Sequence, residues 1–393
     1  MKKFLLASVS IMFLSTNVYA EDTKIGILLG FTGPIESLTP DMAAGAEAAI
    51  AEVNAGGGLL GGQVTGVRAD STCVDSGAAT AAAEKLITSD KVSAIMGADC
   101  SGVTGAVLAN VAMANGIVMI SPSATSPGLS TVEDNGLFFR TAPSDARQGQ
   151  IMSDVLMDRG FSSVGVTYTN NDYGKGLADA FQAAYEAAGG TVTINASHEE
   201  GKADCSAEVG ALASAGGEVL VVAGYISGGG KCLTLTSLET GAFDTFLFPD
   251  GMIGEELDGY GGSDLDGSMG TVPGTDSPGG AKMVGIGTAN GFNGTAPYAP
   301  ESYDAAALIM LAMASANSSD SQVFKDHVMK VANGPGEKIY PGNLANGIEM
   351  ASNGFAVDYV GGSAVTLIGP GESSGSFREV GWSGGKEITV QYR

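Results

Sequence analysis

The chain alternates short apolar runs with longer alanine-rich runs from Lys24 onward, and this alternation predicts its secondary structure. The first strands are predicted at residues 24–29, 63–69, 92–96 and 117–120, with helices between them at 42–54, 78–89 and 103–114. Strands that are each followed by one helix are typical of a parallel sheet with helices on both faces. The first part of the chain therefore predicts a doubly wound α/β unit.

The alternation pauses near residues 138–143 and then begins again, which predicts a second unit of similar size. Its strands are predicted at 163–168, 191–196, 219–223 and 245–248, and its helices at 146–158, 174–188, 206–214 and 231–239. A run rich in Gly and Pro follows at 269–280, and two more helices are predicted at 301–316 and 322–332. The tail at 355–393 is predicted to form short strands that complete one of the two sheets.

The predicted fold class is therefore α/β, with two doubly wound, Rossmann-like lobes. We assign residues 21–142 and 274–345 to lobe I and residues 143–273 and 346–393 to lobe II.

The first twenty residues have the pattern of a cleaved export signal. Lys2 and Lys3 precede an apolar run that is too short to span a membrane, and Val18 and Ala20 stand three and one positions before Glu21. We expect cleavage near Ala20 and a mature protein in the periplasm.

The chain is strongly acidic, with 43 acidic against 19 basic residues and a formal charge of −24. Because a negative surface repels phosphates, nucleic acid and anionic membranes are poor candidate partners. Acidity of this kind also serves solubility, so it does not by itself predict a cationic ligand.

The four cysteines fall into two pairs with the same spacing, Cys73 with Cys100 and Cys205 with Cys232, each 27 positions apart. In each pair one helix and one strand lie between the cysteines, which returns the chain to the sheet edge that it left. We therefore predict two disulfides, which an exported protein can keep. The chain has no Cys-x-x-Cys motif and only two histidines, so no metal site is predicted.

Polar and aromatic residues follow the carboxyl ends of the predicted strands, where parallel α/β sheets bind ligands. In the first unit the segment 121–126 supplies four hydroxyl residues, which suit a carboxylate but also suit a tight turn. In the second unit Tyr173 and Tyr225 can cover a ligand, and Asp250 can pair with an ammonium group. The two edges together predict a site for a small zwitterion.

Five motifs resemble the leucine/isoleucine/valine-binding branch of the type I periplasmic binding proteins. They are FTGP at 31–34, MISPSATSP at 119–127, FRT at 139–141, DYGKG at 172–176 and AGY at 223–225. The resemblance covers nearly all of the mature chain. It implies two lobes joined by three crossovers, a cleft that closes over the ligand, and delivery to the permease of an ABC transporter. We expect a monomer without a cofactor.

By position, the resemblance gives carboxylate binding to Ser101, Ser123 and Thr125, with Ala124 lining the site. It gives the ammonium side and the cover to Tyr173, Tyr225 and Asp250. We also count Phe31, which directly follows the first strand, as a candidate ligand-binding residue. Asp250 stands where leucine-binding members have a Glu-like acid, which leaves the identity of the ligand open. Cys73–Cys100 resembles a bridge of the family, whereas Cys205–Cys232 departs from it.

Competing functions have weaker support in the sequence. GESSG at 371–375 matches the Gly-x-Ser-x-Gly pattern of hydrolases, but Pro370 precedes it, no helix is predicted after it, and no His follows it. Lys231 follows three glycines but lacks the rest of a phosphate loop, and the Asp-rich run at 264–267 is too short for a calcium loop. We therefore do not expect an enzyme. A protein that presents a small amide or carboxylate to a receptor remains the alternative.

Overall fold

The structure is a computed structural model, and it describes residues 22–393. The predicted export signal lies outside the described residues. The fold is of the α/β class, as predicted, with one sheet of five strands and one of seven, each packed between helices.

The five-stranded sheet belongs to lobe I, and its strands run parallel in the order β2-β1-β3-β4-β5. Its strands are β1 Thr23–Leu29, β2 Val64–Asp70, β3 Ala94–Gly97, β4 Val118–Ser121 and β5 Phe138–Arg140. Its helices are α1 Thr39–Ala55, α2 Ser76–Thr88, α3 Ser101–Val107 and α4 Met113–Asn115, the last two joined by a π-helical turn at Leu108–Ala112. Four of these strands match the prediction closely, whereas β5 lies in the segment 138–143, where no strand is predicted.

The seven-stranded sheet belongs to lobe II, with the order β16-β15-β10-β9-β8-β6-β7. Its strands are β6 Ser163–Thr169, β7 Thr191–His198, β8 Val219–Ala223, β9 Phe246–Phe248, β10 Met269–Pro273, β15 Phe377–Ser383 and β16 Lys386–Tyr392. Its helices are α5 Asp145–Asp158, α6 Asp172–Ala187, α7 Ser206–Ala215, α8 Gly229–Thr240 and α9 Glu255–Gly261. β15 and β16 pair antiparallel, so the tail completes this sheet, as predicted.

The chain returns to lobe I between β10 and β15. This return comprises α10 Pro278–Asn290, α11 Ala299–Ala316, α12 Ser321–Ala332, β11 Glu337–Ile339, α13 Leu344–Ser352, β12 Val357–Tyr359, β13 Leu367–Ile368 and β14 Glu372–Ser373. α13 packs against α1 and α11. The predicted boundary at 345/346 was therefore wrong, because it falls inside a helix whose apolar face lies on lobe I. The last passage into lobe II comes between β14 and β15.

Helix α11 is the core of lobe I, and nearly all of its residues are buried. It is rich in Ala and apolar on all sides, which suits a helix enclosed by neighbours. Close packing needs a glycine on α1, because a Cβ added at Gly45 would lie 2.4 Å from the carbonyl oxygen of Ala299. This contact brings the start of α11, and the turn before it, next to the first sheet.

Three segments cross between the lobes side by side, after β5, after β10 and before β15. Gly274 N donates to Ser376 O at 3.1 Å, and Ser376 Oγ donates to Gly274 O at 3.0 Å. Gly375 lies against Pro143, where an added Cβ would approach the proline ring to 2.4 Å. Thin parallel crossings of this kind allow two lobes to move as units about a common hinge.

Candidate functional site

A cavity lies between the lobes, at the carboxyl ends of the strands of both sheets. Lobe I supplies Ile35, Leu38, Asp99, Cys100, Ser101, Ser123 and Tyr298, and lobe II supplies Tyr173, Tyr225, Asp250 and Gly251. The cavity volume is about 20 Å³, little more than the roughly 10–15 Å³ that one buried water needs. The lobes are therefore in a closed arrangement.

The hydroxyl-rich segment after β4 is held mainly by its own turn contacts. Ser121 Oγ donates to Ala98 O at 2.5 Å and accepts from Ala124 N at 2.9 Å, so Ser121 shapes the turn. Ser123 Oγ donates to Asp99 O at 3.1 Å. Ser126 Oγ accepts from a backbone N–H two residues later, which begins a short 3-10 helix. Ser121 and Ser126 are thus turn formers.

A buried arginine fixes this segment from behind. Arg140 Nη1 donates to Ala124 O at 3.1 Å and to Ser126 O at 2.9 Å. Arg140 Nη2 donates to Glu372 Oε1 at 2.8 Å. The ion pair with Glu372 balances the charge of Arg140, which is fully buried. Arg140 therefore acts through the loop backbone.

Thr125 of this segment lies next to Asp145, the first residue of α5, and both side chains are buried. Asp145 N donates to Thr125 O at 2.9 Å, which joins the first turn of α5 to the loop. Within residues 22–393, neither the Thr125 hydroxyl nor either Asp145 carboxylate oxygen has a hydrogen-bond partner. Burial, and then the charge of Asp250, raise the pKa of Asp145 well above its usual range, against smaller effects of the Thr125 hydroxyl and Arg140. Such a carboxylate is ready to pair with a cation.

Asp250 lies across the cleft from the hydroxyl-rich segment and is contacted from both lobes. Tyr173 Oη donates to Asp250 Oδ1 at 2.7 Å, and Tyr298 Oη donates to Asp250 Oδ2. Burial raises the pKa of Asp250, while the hydrogen bonds from Tyr298 and Tyr173 oppose this rise. The charge of Asp250 acts on Asp145, so these two buried carboxylates interact. Asp99 of lobe I is a third buried carboxylate at the cavity, and it accepts from Gly30 N, Ser71 Oγ and Cys100 N.

Tyr298 comes from the turn before α11 and has a left-handed backbone, with φ of 64°. This conformation is uncommon for an aromatic residue, and such outliers often accompany functional sites. Neither Tyr298 nor Asp145 was predicted as a site residue, because neither follows a strand that the sequence predicts: Asp145 is the first residue of α5, and Tyr298 lies in the turn between α10 and α11.

Tyr173 and Tyr225 form the aromatic wall of lobe II. Their rings stack with centroids 5.1 Å apart, and Asn171 Nδ2 donates to Tyr225 Oη at 3.3 Å. Ile35 and Leu38 face them from lobe I and supply the apolar lining. These two aliphatic residues follow the FTGP motif within four positions, and they were not predicted as site residues.

The structure therefore brings most of the predicted site residues together. Five of them line the cavity, namely Ser101, Ser123, Tyr173, Tyr225 and Asp250. Ala124 and Thr125 are buried in the adjoining loop. Phe31 is not among the lining residues, and its ring lies instead 5.5 Å from the guanidinium of Arg68. The roles of the predicted site residues in binding a ligand stay predictions.

Both predicted disulfides are present. Cys73–Cys100 and Cys205–Cys232 are bonded, with Cα atoms 5.1 and 6.0 Å apart. Cys100 lines the cavity directly before Ser101, so the first bridge also fixes the start of α3.

Other kinds of site find little support in the described part of the chain. Within residues 22–393, no group of three or more His, Cys, Asp or Glu side chains is arranged to hold a metal ion. Ser373 of the GESSG motif is buried in strand β14 rather than at a strand-to-helix turn. None of the helices in that range is both long enough and apolar enough to span a bilayer.

Comparisons with known proteins agree with this arrangement. A Leu/Ile/Val-binding protein homologue of Brucella melitensis is 33% identical over 267 residues, which cover 66% of this chain and 71% of the relative. A leucine-binding protein of Thermotoga maritima superposes with a TM-score of 0.80 at 22% identity, covering 94% of this chain and 98% of the other. A branched-chain amino acid transporter substrate-binding protein of Streptococcus pneumoniae, in complex with isoleucine, gives 0.77 at 23% identity, covering 95% and 99%.

The family model described as periplasmic binding protein matches residues 22–333, which is well over half of the chain. The chain therefore belongs to the periplasmic binding protein family.

Proposed function

We propose that this protein captures an amino acid, or a similar small zwitterion, between its lobes in the periplasm and delivers it to an ABC importer. The relatives that carry amino acid names support this assignment, and so does the solved neighbour that holds isoleucine. The observation that carries it is the division of charge across the cleft. Lobe I offers hydroxyls and backbone N–H groups, and no Lys or Arg of the described chain lines the cavity, whereas Asp145 and Asp250 offer two buried carboxylates. The buried Asp99 of lobe I does not alter this division, because Gly30 N, Ser71 Oγ and Cys100 N already donate to it.

The carboxylate of the ligand lies, in this proposal, against Ser101, Ser123 and Thr125. Ser101 Oγ accepts from Ser126 N at 3.1 Å, which leaves its own proton to donate. The Thr125 hydroxyl has no partner within residues 22–393, so it can donate to a ligand without breaking a contact. Hydrogen bonds to a charged group contribute about 1.5–3 kcal/mol each, so a few of them can replace a basic side chain.

The ammonium group of the ligand lies, in this proposal, between Asp145 and Asp250. A cation there relieves the repulsion between the two carboxylates and supplies Asp145 with donors. Each carboxylate binds best when ionised, so ligand binding should release protons where the pKa of Asp145 lies above the pH of the solution. Tyr173 and Tyr225 then cover the ligand from lobe II, and Ile35 and Leu38 contact its side chain.

The experiment that tests this assignment uses matched ligands on purified mature protein, after any carried-over ligand has been removed by unfolding and refolding. A thermal-shift screen of the twenty amino acids selects the best one. Calorimetry then compares that amino acid with its amide, which lacks the carboxylate charge, and with the carboxylic acid that lacks its amino group. We expect both analogues to bind at least about 30-fold more weakly, since each leaves buried charged groups unpaired.

Equal binding of the deaminated acid would contradict the zwitterion site and favour a simple carboxylate ligand. Delivery is tested separately by uptake. Deleting the gene from its host should abolish high-affinity uptake of the labelled amino acid. A role in presenting the ligand to a receptor would instead leave uptake intact and abolish the behavioural response.

A further inference from the structure

The lobes also touch beside the cavity, at the glycine-rich turn between β8 and α8. Ser227 N donates to Pro34 O at 3.0 Å, and Ser227 Oγ lies 3.2 Å from Ser37 Oγ. Pro34 and Ser37 belong to the loop between β1 and α1 of lobe I, whereas Ser227 belongs to lobe II. Opening of the cleft must therefore break these contacts.

Glu256 of α9 completes the contact. Ser227 Oγ donates to Glu256 Oε2 at 2.5 Å, and Lys231 Nζ donates to Glu256 Oε1 at 2.7 Å. Because Ser227 gives its only hydroxyl proton to Glu256, Ser37 must act as the donor to Ser227. Burial favours the neutral form of Glu256, but the hydrogen bonds from Lys231 and Ser227, together with the charge of Lys231, outweigh it and lower its pKa. A charged acceptor thus ends a chain of hydroxyls from both lobes.

The turn that carries Ser227 is held firmly within lobe II. Gly229 N donates to Glu200 Oε2 at 2.7 Å, and the disulfide Cys205–Cys232 ties the first turn of α8 to the start of α7. Cys205–Cys232 is the bridge without a counterpart in the family resemblance. The turn is therefore braced from behind at the point where it meets the other lobe.

Gly228 allows the close approach between the lobes. A Cβ added there would lie 2.9 Å from Pro34 Cβ and 1.8 Å from Glu200 Oε2. The approach therefore needs a residue without a side chain directly after Ser227. Contact between the lobes therefore explains why a glycine stands at position 228, which contact with a ligand alone does not explain.

We propose that Ser37, Ser227 and Glu256 form a latch between the lobes, which slows the opening of the closed cleft and thereby sets the rate of ligand release. The inference rests on the proposed function, because release requires a ligand that the cleft holds. Tyr225 lies two residues before Ser227 in the same turn, so the latch closes together with one of the rings that line the cavity. Neither Ser37, Ser227 nor Glu256 lines the cavity itself.

The kinetic test uses the amino acid that gives the largest thermal shift in a screen of all twenty. Stopped-flow measurements compare its release from the wild type, Ser37→Ala, Ser227→Ala and Glu256→Gln. Each variant should raise koff about two- to tenfold, as expected for the loss of one hydrogen bond, with kon changed by less than about twofold. Ser214→Ala is the matched control, because this exposed serine of lobe II donates only to Gly210 O. Wild-type release from Ser37→Ala and Ser227→Ala would overturn the latch.

A second test does not depend on ligand binding, because oxidation traps the lobes whenever they close. The pair Ser37→Cys and Ser227→Cys should form a disulfide under mild oxidation, which non-reducing peptide mapping detects alongside the two native bridges. The pair Ser37→Cys and Ser214→Cys should form none. If the first pair fails to crosslink, the latch is wrong even in a protein that binds amino acids. A crosslink in a protein that binds no amino acid would leave the contact standing and refute the proposed function instead.

Discussion

Replacing Asp145 by Asn should weaken ligand binding and, at the same time, stabilise the ligand-free protein. Asp145 is fully buried, and neither of its carboxylate oxygens has a hydrogen-bond partner among residues 22–393. An ionised carboxylate in such a place is destabilising, and Asp250 adds repulsion. Asn has nearly the same shape without the charge. We therefore expect the free energy of unfolding at pH 7 to rise by roughly 1–3 kcal/mol.

The same substitution removes one of two acidic partners for an ammonium group. The loss of one member of a buried charge pair costs about 2–5 kcal/mol of binding, which corresponds to roughly a 30- to 5,000-fold rise in Kd. Calorimetry on folded protein gives the affinity, and urea unfolding without ligand gives the stability. Asp179→Asn serves as the control, because Asp179 is exposed and its ion pair within residues 22–393 is with the exposed Lys175, so little should change.

The pH dependence of the stability gain checks its cause. The folded protein raises the pKa of Asp145 above its unfolded value, so the protonated form is favoured in the fold. The wild type is therefore penalised only as the pH rises above the unfolded value of about 3.9. The advantage of Asp145→Asn should shrink as the pH is lowered toward that value. An unchanged Kd together with no gain in stability at pH 7 would refute the reasoning.

Three further predictions concern neighbouring features. Tyr298→Phe keeps the ring but removes the lobe I donor to Asp250, and calorimetry should show binding weakened by about 1–2 kcal/mol, whereas an unchanged Kd would mean that this contact is lost when ligand binds. Burial raises the pKa of Glu301 from 4.5 to about 8, so the wild type should lose stability as the pH rises from 5 to 8. Urea unfolding of Glu301→Gln should show a flatter pH profile, and an equally steep profile would exclude Glu301 as the cause. Small-angle scattering should show a smaller radius of gyration at saturating ligand, and an unchanged value would argue that the free protein already rests closed.

The fold was largely predictable because local patterns agree with the tertiary arrangement. Buried parallel strands consist of short apolar runs, and six of these, together with the two more exposed edge strands β2 and β7, were predicted within a few residues of their observed bounds. β5 and β10 were missed, because Phe138–Arg140 is only three residues long and Met269–Pro273 contains Gly and Pro. Both owe their strand conformation to pairing with neighbouring strands: β5 pairs with β4, whereas β10 pairs with β15 from the far end of the chain.

The domain boundary failed for a related reason. The segment that contains α13 carries no sign of which lobe it joins, because its sequence shows an apolar face but not the partner of that face. Contacts with α1, some 300 positions earlier in the chain, decide the matter. Likewise, the sequence placed Asp250 at the right sheet edge but gave no sign of Tyr298, which reaches it from the other lobe.

The hydroxyl-rich segment shows most clearly what a sequence leaves open. Ser121, Thr125 and Ser126 all carry a hydroxyl group, which is favoured both in turns and in ligand sites. The structure separates them by their partners. Ser121 and Ser126 accept hydrogen bonds from the backbone N–H groups of Ala124 and Gly128, whereas the Thr125 hydroxyl is buried without a partner in the described chain, beside an equally unpaired Asp145. Turn formation accounts for a bonded hydroxyl, but it does not account for two buried polar groups left unpaired, since these destabilise the fold unless something binds them. The part of the segment that contributes to a binding site is therefore the part that stabilises the empty protein least.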